Sequence, residues 1–525
     1  MNNYKVYINR KKKRLLLSFL ILIIVTFILG LMINFDLWRL IKGIPSMYNL
    51  IERMLSPDVT YIKEVFLKLI ETIKIAISSS VFGVIIAIPF SLLISKNIAP
   101  FKRIGIILNI MFSIIRTIPI LIWAAILVSI FSIGQFSGMI ALSIIAFLMS
   151  LKLFKENIET IDDNLINSTK SVGSNQIQIL RYCIIPTILQ MTVSVFFIVL
   201  ETNIRSATVL GLVGAGGIGQ IMWRDLNHLR YDKLATLILI LFLTIVSIDI
   251  LSLFIRKYMK RSKKRFVSVN SYRKNHNLKL ILYGTFFITL TYIVINTLDI
   301  DLERLKLGIT QGAKIIKGMA NIDFTYMPKM LEGLKESLAI ALFATIMGSL
   351  GSIFLSFFTA YNTSPSKLIS VVCKMIINIL RTFPPIITAI IFFRGVGPGP
   401  LAGSLALSLY TTGALTKLYS EIIEETNENI KNSVISTGST NFDSFRHGIL
   451  PQTLPNFISL ALYRLESNVR NSTILGVIGA GGIGTTLSTN IAWRNWEKVG
   501  LLILGTSIMI IIIDIISSYL RKKFS

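Results

Sequence analysis

The sequence repeats itself almost completely, and this duplication constrains the fold more than any other feature. The segment Glu201 to Gly219 returns as Glu466 to Gly484, with a constant offset in residue number (470 − 205 = 265 for the arginines Arg205 and Arg470). The same offset aligns the two copies without a gap from about residue 58 to 257. One chain therefore carries two copies of a single unit, and paired units in a membrane suggest a path between them.

The composition indicates that the repeated unit lies in a membrane. Of the 525 residues, 53% are hydrophobic, and the mean hydropathy is +0.68. The formal net charge is +27. The Lys and Arg residues of the chain cluster at the ends of apolar runs, and this pattern favours anchoring at the cytoplasmic side of a membrane over nucleic-acid binding. We therefore expect a lipid bilayer around the chain and no nucleic-acid partner.

Apolar runs predict an all-α integral membrane protein with about twelve transmembrane helices, arranged as two homologous six-helix units. Most of the runs exceed the roughly 17–20 residues that a helix needs to cross the hydrocarbon core. The runs of the first half are 15–33, 73–94, 104–131, 137–154, 184–213 and 234–258, and those of the second half are 278–295, 338–360, 369–393, 402–419, 449–478 and 499–520.

The distribution of Lys and Arg predicts the orientation of these spans. One basic cluster, Arg10 to Arg14, precedes the first span, and another at about 259–277 follows the sixth. Basic residues favour the cytoplasmic side, so we expect both termini and the connection between the halves to be cytoplasmic. Because an even number of spans separates the copies, both have the same orientation, and the duplication is parallel. The segments 34–69 and 296–334 then lie outside, where short amphipathic helices are expected.

Residues that usually carry catalysis or bind metal are scarce. Cys183 and Cys373 do not correspond under the repeat offset, and the three histidines are scattered. We therefore expect no metal site and no catalytic residue, so that the chain is not an enzyme. The dipeptide Gly-Lys never occurs, which excludes a P-loop. We expect no cofactor in this chain, and any ATP and Mg²⁺ would bind a separate partner.

A long, polar cytoplasmic loop precedes the fifth span of each half. Gly173 precedes Pro186 by the same spacing with which Gly438 precedes Pro451, since 186 − 173 = 13 and 451 − 438 = 13. This spacing resembles the coupling motif of the permease subunits of type I ABC importers, although the Glu-Ala-Ala part of that motif is degenerate in both copies. The resemblance implies that these loops dock to a separate ATPase.

Three runs of residues resemble the phosphonate importer permeases in particular. They are Arg381 to Pro385, Gly397 to Gly403 and Arg470 to Gly484, and a shorter one, Lys417 to Glu421, joins them; the second half fits better than the first. The resemblance implies the permease of an ATP-driven ABC importer for phosphonates in a bacterial cell membrane, with two permease copies fused in tandem. Its implied partners are two ABC ATPase subunits on the cytoplasmic side, which bind ATP and Mg²⁺, an extracytoplasmic solute-binding protein and a phosphonate-like substrate.

The resemblance also divides the chain into domains. The first permease half is expected at 1–258, with a type I transmembrane core at about 67–256. The second half is expected at 278–525, with its core at about 332–521. The basic cytoplasmic linker between the halves occupies 259–277.

Other functions are compatible with parts of this pattern. An importer for phosphite or an amino acid would share most of it, since methionine and other permeases carry the same Gly-Ala-Gly-Gly-Ile-Gly run. A secondary transporter would need proton or sodium relays, and carboxylates near the midplane are few apart from Glu201 and Glu466. A membrane enzyme would need a cluster of His, Asp, Glu or Cys at one membrane face, which the two halves do not share.

A glycine run follows the fifth span of each half. It formally fits a dinucleotide-binding pattern, but a helix-length apolar run stands where that site needs a strand. We predict a helix end or re-entrant turn, in which Gly permits positive φ and close backbone approach. These glycines either line a gate or pack tightly against the other half. They are Gly214, Gly216, Gly217 and Gly219 in the first half and Gly479, Gly481, Gly482 and Gly484 in the second.

Arginines inside the spans are candidates for the translocation path, because charge in a bilayer is costly and usually has a task. Along a helix that rises ~1.5 Å per residue, Arg116 lies about 18 Å beyond Ile104 in its apolar run, near the midplane. Arg381 is its equivalent in the second half. The two guanidinium groups either lower the barrier to an anion or brace neighbouring helices.

A second set of charges recurs in the fifth spans. Arg205 and Arg470 lie four residues after Glu201 and Glu466, a spacing that lets each pair form a salt bridge on one helix face. These four residues are also candidates for the path. We assign no transport role to the aspartates late in the sixth spans and expect them either to cap a helix or to pair locally; they are Asp249 and Asp514.

Overall fold

The computed structural model describes residues 20–99, 101–260, 302–382 and 384–524, together with the isolated residues 285, 288, 289, 291 and 292. Within this part of the chain the regular structure is helical, and no strand is present. The predicted all-α fold is therefore confirmed. The basic cluster at 10–14, most of the seventh span at 278–295 and nearly all of the linker at 259–277 lie outside the described residues.

Each helix of the first copy from α2 onwards has an equivalent in the second copy, where the equivalents begin with α12. Equivalent residues differ in number by the repeat offset of 265. The first copy contains α1 (Leu20–Met32), α2 (Leu37–Met54), α3 (Ile62–Ile94), α4 (Lys102–Thr117), α5 (Ile120–Phe131), α6 (Gln135–Glu159), α7 (Asp163–Ser171), α8 (Gln176–Ile179), α9 (Ile185–Leu210), α10 (Ile218–Asn227) and α11 (Tyr231–Lys260). The second copy contains α12 (Leu302–Ala320), α13 (Met327–Thr359), α14 (Lys367–Thr382), α15 (Pro385–Val396), α16 (Pro400–Glu424), α17 (Glu428–Ile435), α18 (Asn441–Ser444), α19 (Leu450–Val477), α20 (Ile483–Ala492) and α21 (Trp496–Phe524). The helices α2 and α12 lie in the segments where amphipathic helices were expected.

Many of these helices are long and apolar enough to cross a membrane. In the described part of the chain, six single helices meet that condition, namely α3, α6, α9, α11, α13 and α21. Three bent pairs raise the number to nine; they are α1 with α2, α4 with α5 and α14 with α15. These elements fit a fold of about twelve spans.

The third span of each half is broken, which corrects the straight helices expected at 104–131 and 369–393. The angle between α4 and α5 is 87°, and that between α14 and α15 is 88°. Pro119 and Pro384 directly precede the second helix of each pair. A residue before proline is driven out of the helical conformation, and Ile118 is extended, with φ −73° and ψ 119°. The proline therefore ends one helix and allows the next to start in a new direction.

The chain forms two compact units that do not follow the order of the repeat. The described residues up to Ile51 group with Gly318–Ser525, whereas Glu52–Lys317 form the other unit. The helix before each core is therefore assigned mainly to the compact unit that contains the core of the other copy. The division of the repeat at 258 and 278 stays a prediction about sequence organisation.

Equivalent glycines pack these helices against their units. In the first of the two units, Gly43 of α2 approaches the backbone of Gly395 in α15 so closely that no side chain would fit. In the other unit, Gly308 of α12 packs equally closely on the ring of Phe131 in α5. Gly308 is the equivalent of Gly43, since 308 − 43 = 265. The same small residue thus permits the same close approach in both units.

A buried asparagine of the fifth-span helix anchors each core. Asn203 of α9 donates hydrogen bonds to Ser79 Oγ at 3.0 Å and Ser80 Oγ at 2.9 Å, both on α3. Its equivalent, Asn468 of α19, donates to Thr345 Oγ1 and Thr411 Oγ1, each at 2.9 Å, on α13 and α16. Hydrogen bonds between membrane helices contribute about 0.6–2 kcal/mol each. They fix the fifth-span helix, and with it the glycine turn that follows.

Candidate translocation and coupling sites

The glycine run of each copy forms a tight turn between two helices. It follows α9 and precedes α10 in the first copy, and it lies between α19 and α20 in the second. Left-handed φ values between 73° and 95° occur at six of the predicted glycines, which are Gly214, Gly216, Gly217, Gly479, Gly481 and Gly482. A side chain would strain this backbone, so the turn requires glycine. The geometry is that of the predicted turn, and a role in gating stays a prediction.

The last glycine of each run has a different reason for its identity. Gly219 and Gly484 are not among the glycines with positive φ. A Cβ atom on Gly219 would collide with the carbonyl oxygen of Thr208, and one on Gly484 would collide with that of Thr473. Close backbone packing, rather than an unusual φ, therefore explains these two glycines.

A glutamate on the first long helix of each core, α3 or α13, holds the glycine turn. Glu71 of α3 accepts a hydrogen bond from the backbone N–H of Gly217 at 2.8 Å, and Glu336 of α13 accepts one from Gly482 at 2.8 Å. In both copies the bond is made at the residue that precedes a helix, where backbone N–H groups lack intrahelical acceptors and the helix dipole favours negative charge. The carboxylate therefore acts as a helix cap supplied by another element.

A hydroxyl beside each glutamate makes the next bond of the same helix start. Thr72 Oγ1 accepts from the N–H of Ile218 at 2.7 Å, and Ser337 Oγ accepts from the N–H of Ile483 at 2.9 Å. In the first copy, Lys68 Nζ also lies 2.7 Å from Glu71 Oε2. Two side chains of one helix thus satisfy two consecutive backbone donors of the turn.

These two glutamates are not among the predicted site residues, because the apolar runs that define the spans begin after them, at Ile73 and Leu338. A signal was nevertheless available. Glu71 and Glu336 recur at the repeat offset, at the margin of an apolar run. A carboxylate that recurs at such a position needs a donor, and the nearby glycine turn supplies a backbone N–H.

The charges of the fifth spans form the ion pairs that the spacing predicted. Arg205 Nη2 lies 2.5 Å from Glu201 Oε1, and Arg470 Nη2 lies 2.5 Å from Glu466 Oε1. The carboxylates differ in burial, since the Glu466 side chain is 6% exposed and that of Glu201 is 21% exposed. Each pair joins one positive and one negative charge on its own helix, which favours the bracing interpretation for these four residues.

Asp249 contacts the fifth-span helix of its own copy. Its Oδ2 atom lies 3.4 Å from Arg205 Nη2, so the contact joins the fifth-span helix α9 to the sixth-span helix α11. The sequence placed Asp249 near the basic end of its own helix, but packing of α9 on α11 brings Arg205 within reach. The guanidinium of Arg205 thus contacts two carboxylates.

The bend in the third span changes the position of its arginine. Arg116 and Arg381 lie in the last turns of α4 and α14, directly before the bends, rather than inside a straight helix. Both side chains are half-buried. Gly413 of α16 packs near Arg381, because a Cβ atom added to Gly413 would lie 3.4 Å from the backbone nitrogen of Arg381. The two arginines therefore mark equivalent helix ends, and their role on a path stays a prediction.

The two cytoplasmic loops have the same architecture. Each contains a short helix, α7 or α17, a left-handed glycine, a single turn, α8 or α18, and one π-helical turn before the long fifth-span helix. The glycines are Gly173, with φ 83°, and Gly438, with φ 81°. Pro186 and Pro451 each occupy the second position of the long helix, where a missing N–H costs no hydrogen bond. The predicted motif residues therefore set the direction of the chain at both ends of the segment.

Local hydrogen bonds stabilise the single turn after each of these glycines. In the second copy, Thr440 and Asp443 form a reciprocal capping box, with the Asp443 N–H donating to Thr440 Oγ1 at 3.2 Å and the Thr440 N–H donating to Asp443 Oδ2 at 3.2 Å. The hydrogen bond from the Thr440 hydroxyl lowers the pKa of the Asp443 carboxyl below its ordinary value. In the first copy, Asn175 and Gln178 exchange side-chain to backbone bonds at 2.9 Å.

Apolar side chains on these loops are exposed. Val172 is 86% exposed and Ile177 is 73% exposed in the first copy, and Phe442 is 50% exposed in the second. Each loop therefore exposes at least one large apolar side chain.

Comparison with known proteins agrees with this arrangement. The family model described as "Binding-protein-dependent transport system inner membrane component" matches the chain twice, at residues 79–265 and 334–525. A phosphate-import permease protein of Mycolicibacterium smegmatis is 26% identical over 94% of this chain and 91% of its own length. A phosphite transport system permease protein of Stutzerimonas stutzeri is 32% identical over 41% of this chain and 82% of its own length.

Two further similarities concern single copies of the repeat. A putative cryptic phosphonate transport system permease protein of Escherichia coli K12 is 39% identical over 23% of this chain and 98% of its own length. An inward-facing structure of the MetNI methionine ABC transporter has 19% sequence identity and a TM-score of 0.34, covering 39% of this chain and 100% of that chain. Two matches of one family model, together with the repeated helices, show that the chain belongs to the binding-protein-dependent inner membrane components, the non-enzymatic permease subunits of ABC importers, and carries two fused copies of the family domain.

Proposed function

We propose that this permease imports phosphonates or a closely related phosphorus oxyanion. The observation that carries the proposal is the set of relatives described above, which are named for phosphate, phosphite and phosphonate transport. The relative that aligns with this chain over 91% of the relative's own length is named for phosphate import. All three substrates share an anionic tetrahedral phosphorus centre, and guanidinium groups bind such oxyanions well.

The two cytoplasmic loops support a proposal about partners. The halves at 1–258 and 278–525 each supply one loop, so two ABC ATPase subunits would dock, one on each. Val172 and Ile177 of one loop and Phe442 of the other offer the apolar contacts. These subunits would bind ATP and Mg²⁺, and both termini of the chain would lie on their side of the membrane. An extracytoplasmic solute-binding protein would deliver the substrate to the opposite face.

The glycine turns would act as gates in this scheme. In each copy, two hydrogen bonds link the turn and the start of the next helix to the long helix α3 or α13. One involves the carboxylate of Glu71 or Glu336, and the other the hydroxyl of Thr72 or Ser337. A movement transmitted from the coupling loop along α9 or α19 reaches the turn directly, because the turn follows these helices in the chain. Arg116, Arg381 and the fifth-span ion pairs would line or brace the path beside it.

The decisive experiment is reconstitution of the full chain in liposomes with its ATPase and its solute-binding protein. ATP hydrolysis and uptake are measured with methylphosphonate, 2-aminoethylphosphonate, phosphate, phosphite and methionine in turn. We expect stimulation by one of the phosphorus oxyanions and none by methionine. Stimulation by an amino acid alone would contradict the substrate class. Uptake driven by a cation gradient without ATP would contradict the importer.

A further inference from the structure

One arginine of the second copy belongs to neither of the repeated sets. Arg464 lies at the middle of α19 (Leu450–Val477), since 464 − 450 = 14 and 477 − 464 = 13. At a rise of about 1.5 Å per residue, roughly 20 Å of helix separates it from either end. A side chain cannot extend along that length to reach either end of the helix. Its guanidinium group must therefore find polar surroundings within the span.

The other arginines of the fifth spans have carboxylate partners, and Arg464 has none among the described residues. Arg205 and Arg470 each contact a glutamate at 2.5 Å. Within the part of the chain that the structure describes, Arg464 forms no ion pair, and its buried Nε atom has no hydrogen-bond partner. A positive charge left without a counter-ion in a membrane span is costly unless an anion or water reaches it.

The side chain is nevertheless held in a defined orientation. The guanidinium carbon of Arg464 lies 4.7 Å from the ring centroid of Tyr410 in α16, a cation–π contact. Stacking on an aromatic ring fixes the guanidinium plane and leaves the N–H groups at its edge free to donate. This edge matches two oxygens of a phosphonate or phosphate group. Both side chains are half-buried, so part of their surface is accessible.

This arginine and tyrosine pair occurs once in the chain. The equivalents under the offset are Val199, at 464 − 265 = 199, and Ile145, at 410 − 265 = 145. Val199 is fully buried. The first copy therefore keeps the helices and replaces both polar side chains with aliphatic ones, as expected when a single substrate passes through a duplicated framework.

We propose that Arg464, stacked on Tyr410, is an oxyanion-binding site that the phosphorus group of the substrate contacts during passage. The proposal rests on the proposed function and assigns recognition within the membrane to the second copy. A single guanidinium fork would bind a dianion weakly, which suits a site that must release its ligand again. The accessible edge of the pair would have to face the aqueous path rather than lipid, since lipid offers no partner for its donors.

The test uses the full chain assembled with its ATPase and solute-binding protein in liposomes, with methylphosphonate, phosphate and phosphite as probes. For Arg464→Met, which keeps the apolar stem, we expect uptake to fall about tenfold or more through loss of a charge-assisted bidentate contact. ATP hydrolysis stimulated by the loaded binding protein should stay as in the wild type. Arg464→Lys should keep part of the uptake that Arg464→Met loses, and Tyr410→Phe, which keeps the aromatic ring, should keep most of the wild-type uptake. As a control, Arg53→Met removes an exposed arginine of α2 and should change neither uptake nor ATP hydrolysis.

Two results would overturn the assignment. Undiminished uptake by Arg464→Met would show that the substrate does not need the guanidinium. A parallel loss of uptake, stimulated hydrolysis and assembly in both Arg464→Met and Arg464→Lys would show that Arg464 only braces α19 against α16. If the wild-type transporter takes up none of the three anions, the proposed function itself fails, and the site assignment falls with it.

Discussion

Glu336 accepts a hydrogen bond from the backbone N–H of Gly482 at 2.8 Å, across 146 residues of sequence. Glu71 makes the same bond to Gly217 in the other copy, also across 146 residues. The duplication has preserved a contact between a membrane-helix carboxylate and the start of a short helix. The glycine turn therefore has a charged acceptor on another helix in addition to its own backbone hydrogen bonds, such as that from the Ala480 N–H to the Leu475 carbonyl at 3.1 Å.

Removing this acceptor should loosen the turn. Glu336→Ala leaves the Gly482 N–H without its partner, which costs about 1–3 kcal/mol of stability. Glu336→Gln keeps an acceptor oxygen and should cost less. The measurement is hydrogen exchange at the Gly482 and Ile483 amides in the assembled transporter, together with its thermal midpoint. Unchanged protection in Glu336→Ala would show that the bond does not hold the turn.

The glycine turn should tolerate a methyl group less well than the cytoplasmic loop does. Gly482 and Gly438 have similar φ values, 75° and 81°, so alanine adds about 1–2 kcal/mol of backbone strain at either position. At Gly482 the new Cβ would also collide with Ser337 Oγ, whereas nothing lies within 4 Å at Gly438. Thermal unfolding should therefore rank Gly482→Ala below Gly438→Ala. Equal midpoints would contradict the close packing.

The fifth-span ion pair should behave as a coupled unit. Arg470→Ala leaves the Glu466 carboxylate, which is only 6% exposed, without its guanidinium. The double variant Glu466→Gln with Arg470→Ala should be less destabilised than the sum of the single changes, with a coupling of about 0.5–3 kcal/mol. Unfolding in detergent would measure it. Additive effects of the two changes would mean that the pair contributes little to bracing.

The third-span arginines should affect transport more than assembly if they lie on the path. We expect Arg381→Ala to abolish uptake while the chain still inserts into the membrane and binds its ATPase. Arg116→Ala serves as the matched variant in the first copy. Co-purification with the ATPase and uptake in liposomes are measured side by side. Loss of assembly in either variant would favour bracing of neighbouring helices instead.

The second cytoplasmic loop should weaken at low pH. The Thr440 hydroxyl lowers the pKa of Asp443 in the folded loop relative to its ordinary value. A carboxyl with a lowered folded pKa contributes stability above its unfolded pKa, and this contribution is lost as the pH falls through the folded value. Hydrogen exchange of 440–444 should accelerate as the pH is lowered, after correction for the intrinsic rate. In Asp443→Asn this acceleration should disappear, and its persistence would exclude the capping box as the cause.

Local sequence signals predicted much of the fold. Hydropathy placed most spans, because a helix in a bilayer needs a run of apolar residues of a set length. The break between α4 and α5 was also accessible in principle, because Ile118 precedes Pro119 and such a residue avoids the helical conformation. The straight helix expected there was wrong because hydropathy registers apolar length and not direction.

Contacts between residues far apart in the chain were harder to predict from the sequence. The ion pair of Arg470 with Glu466 follows from a spacing of four residues on one helix, and the sequence predicted it. The contact of Arg205 with Asp249 depends on how α9 packs on α11, and the sequence analysis missed it. The stacking of Arg464 on Tyr410 likewise joins two helices, and only its absence from the first copy was visible in the sequence.

By itself, the sequence determined the duplication, the helical class, the motif spacing of the coupling loops and the glycines that permit a left-handed turn. Each of these is a property of neighbouring residues or of direct comparison between the copies. Only the tertiary structure decided that Glu71 and Glu336 hold the glycine turns, and that α2 packs in a unit with the core of the other copy. Those choices depend on which helix faces meet, and packing between elements far apart in the chain sets that, not local periodicity.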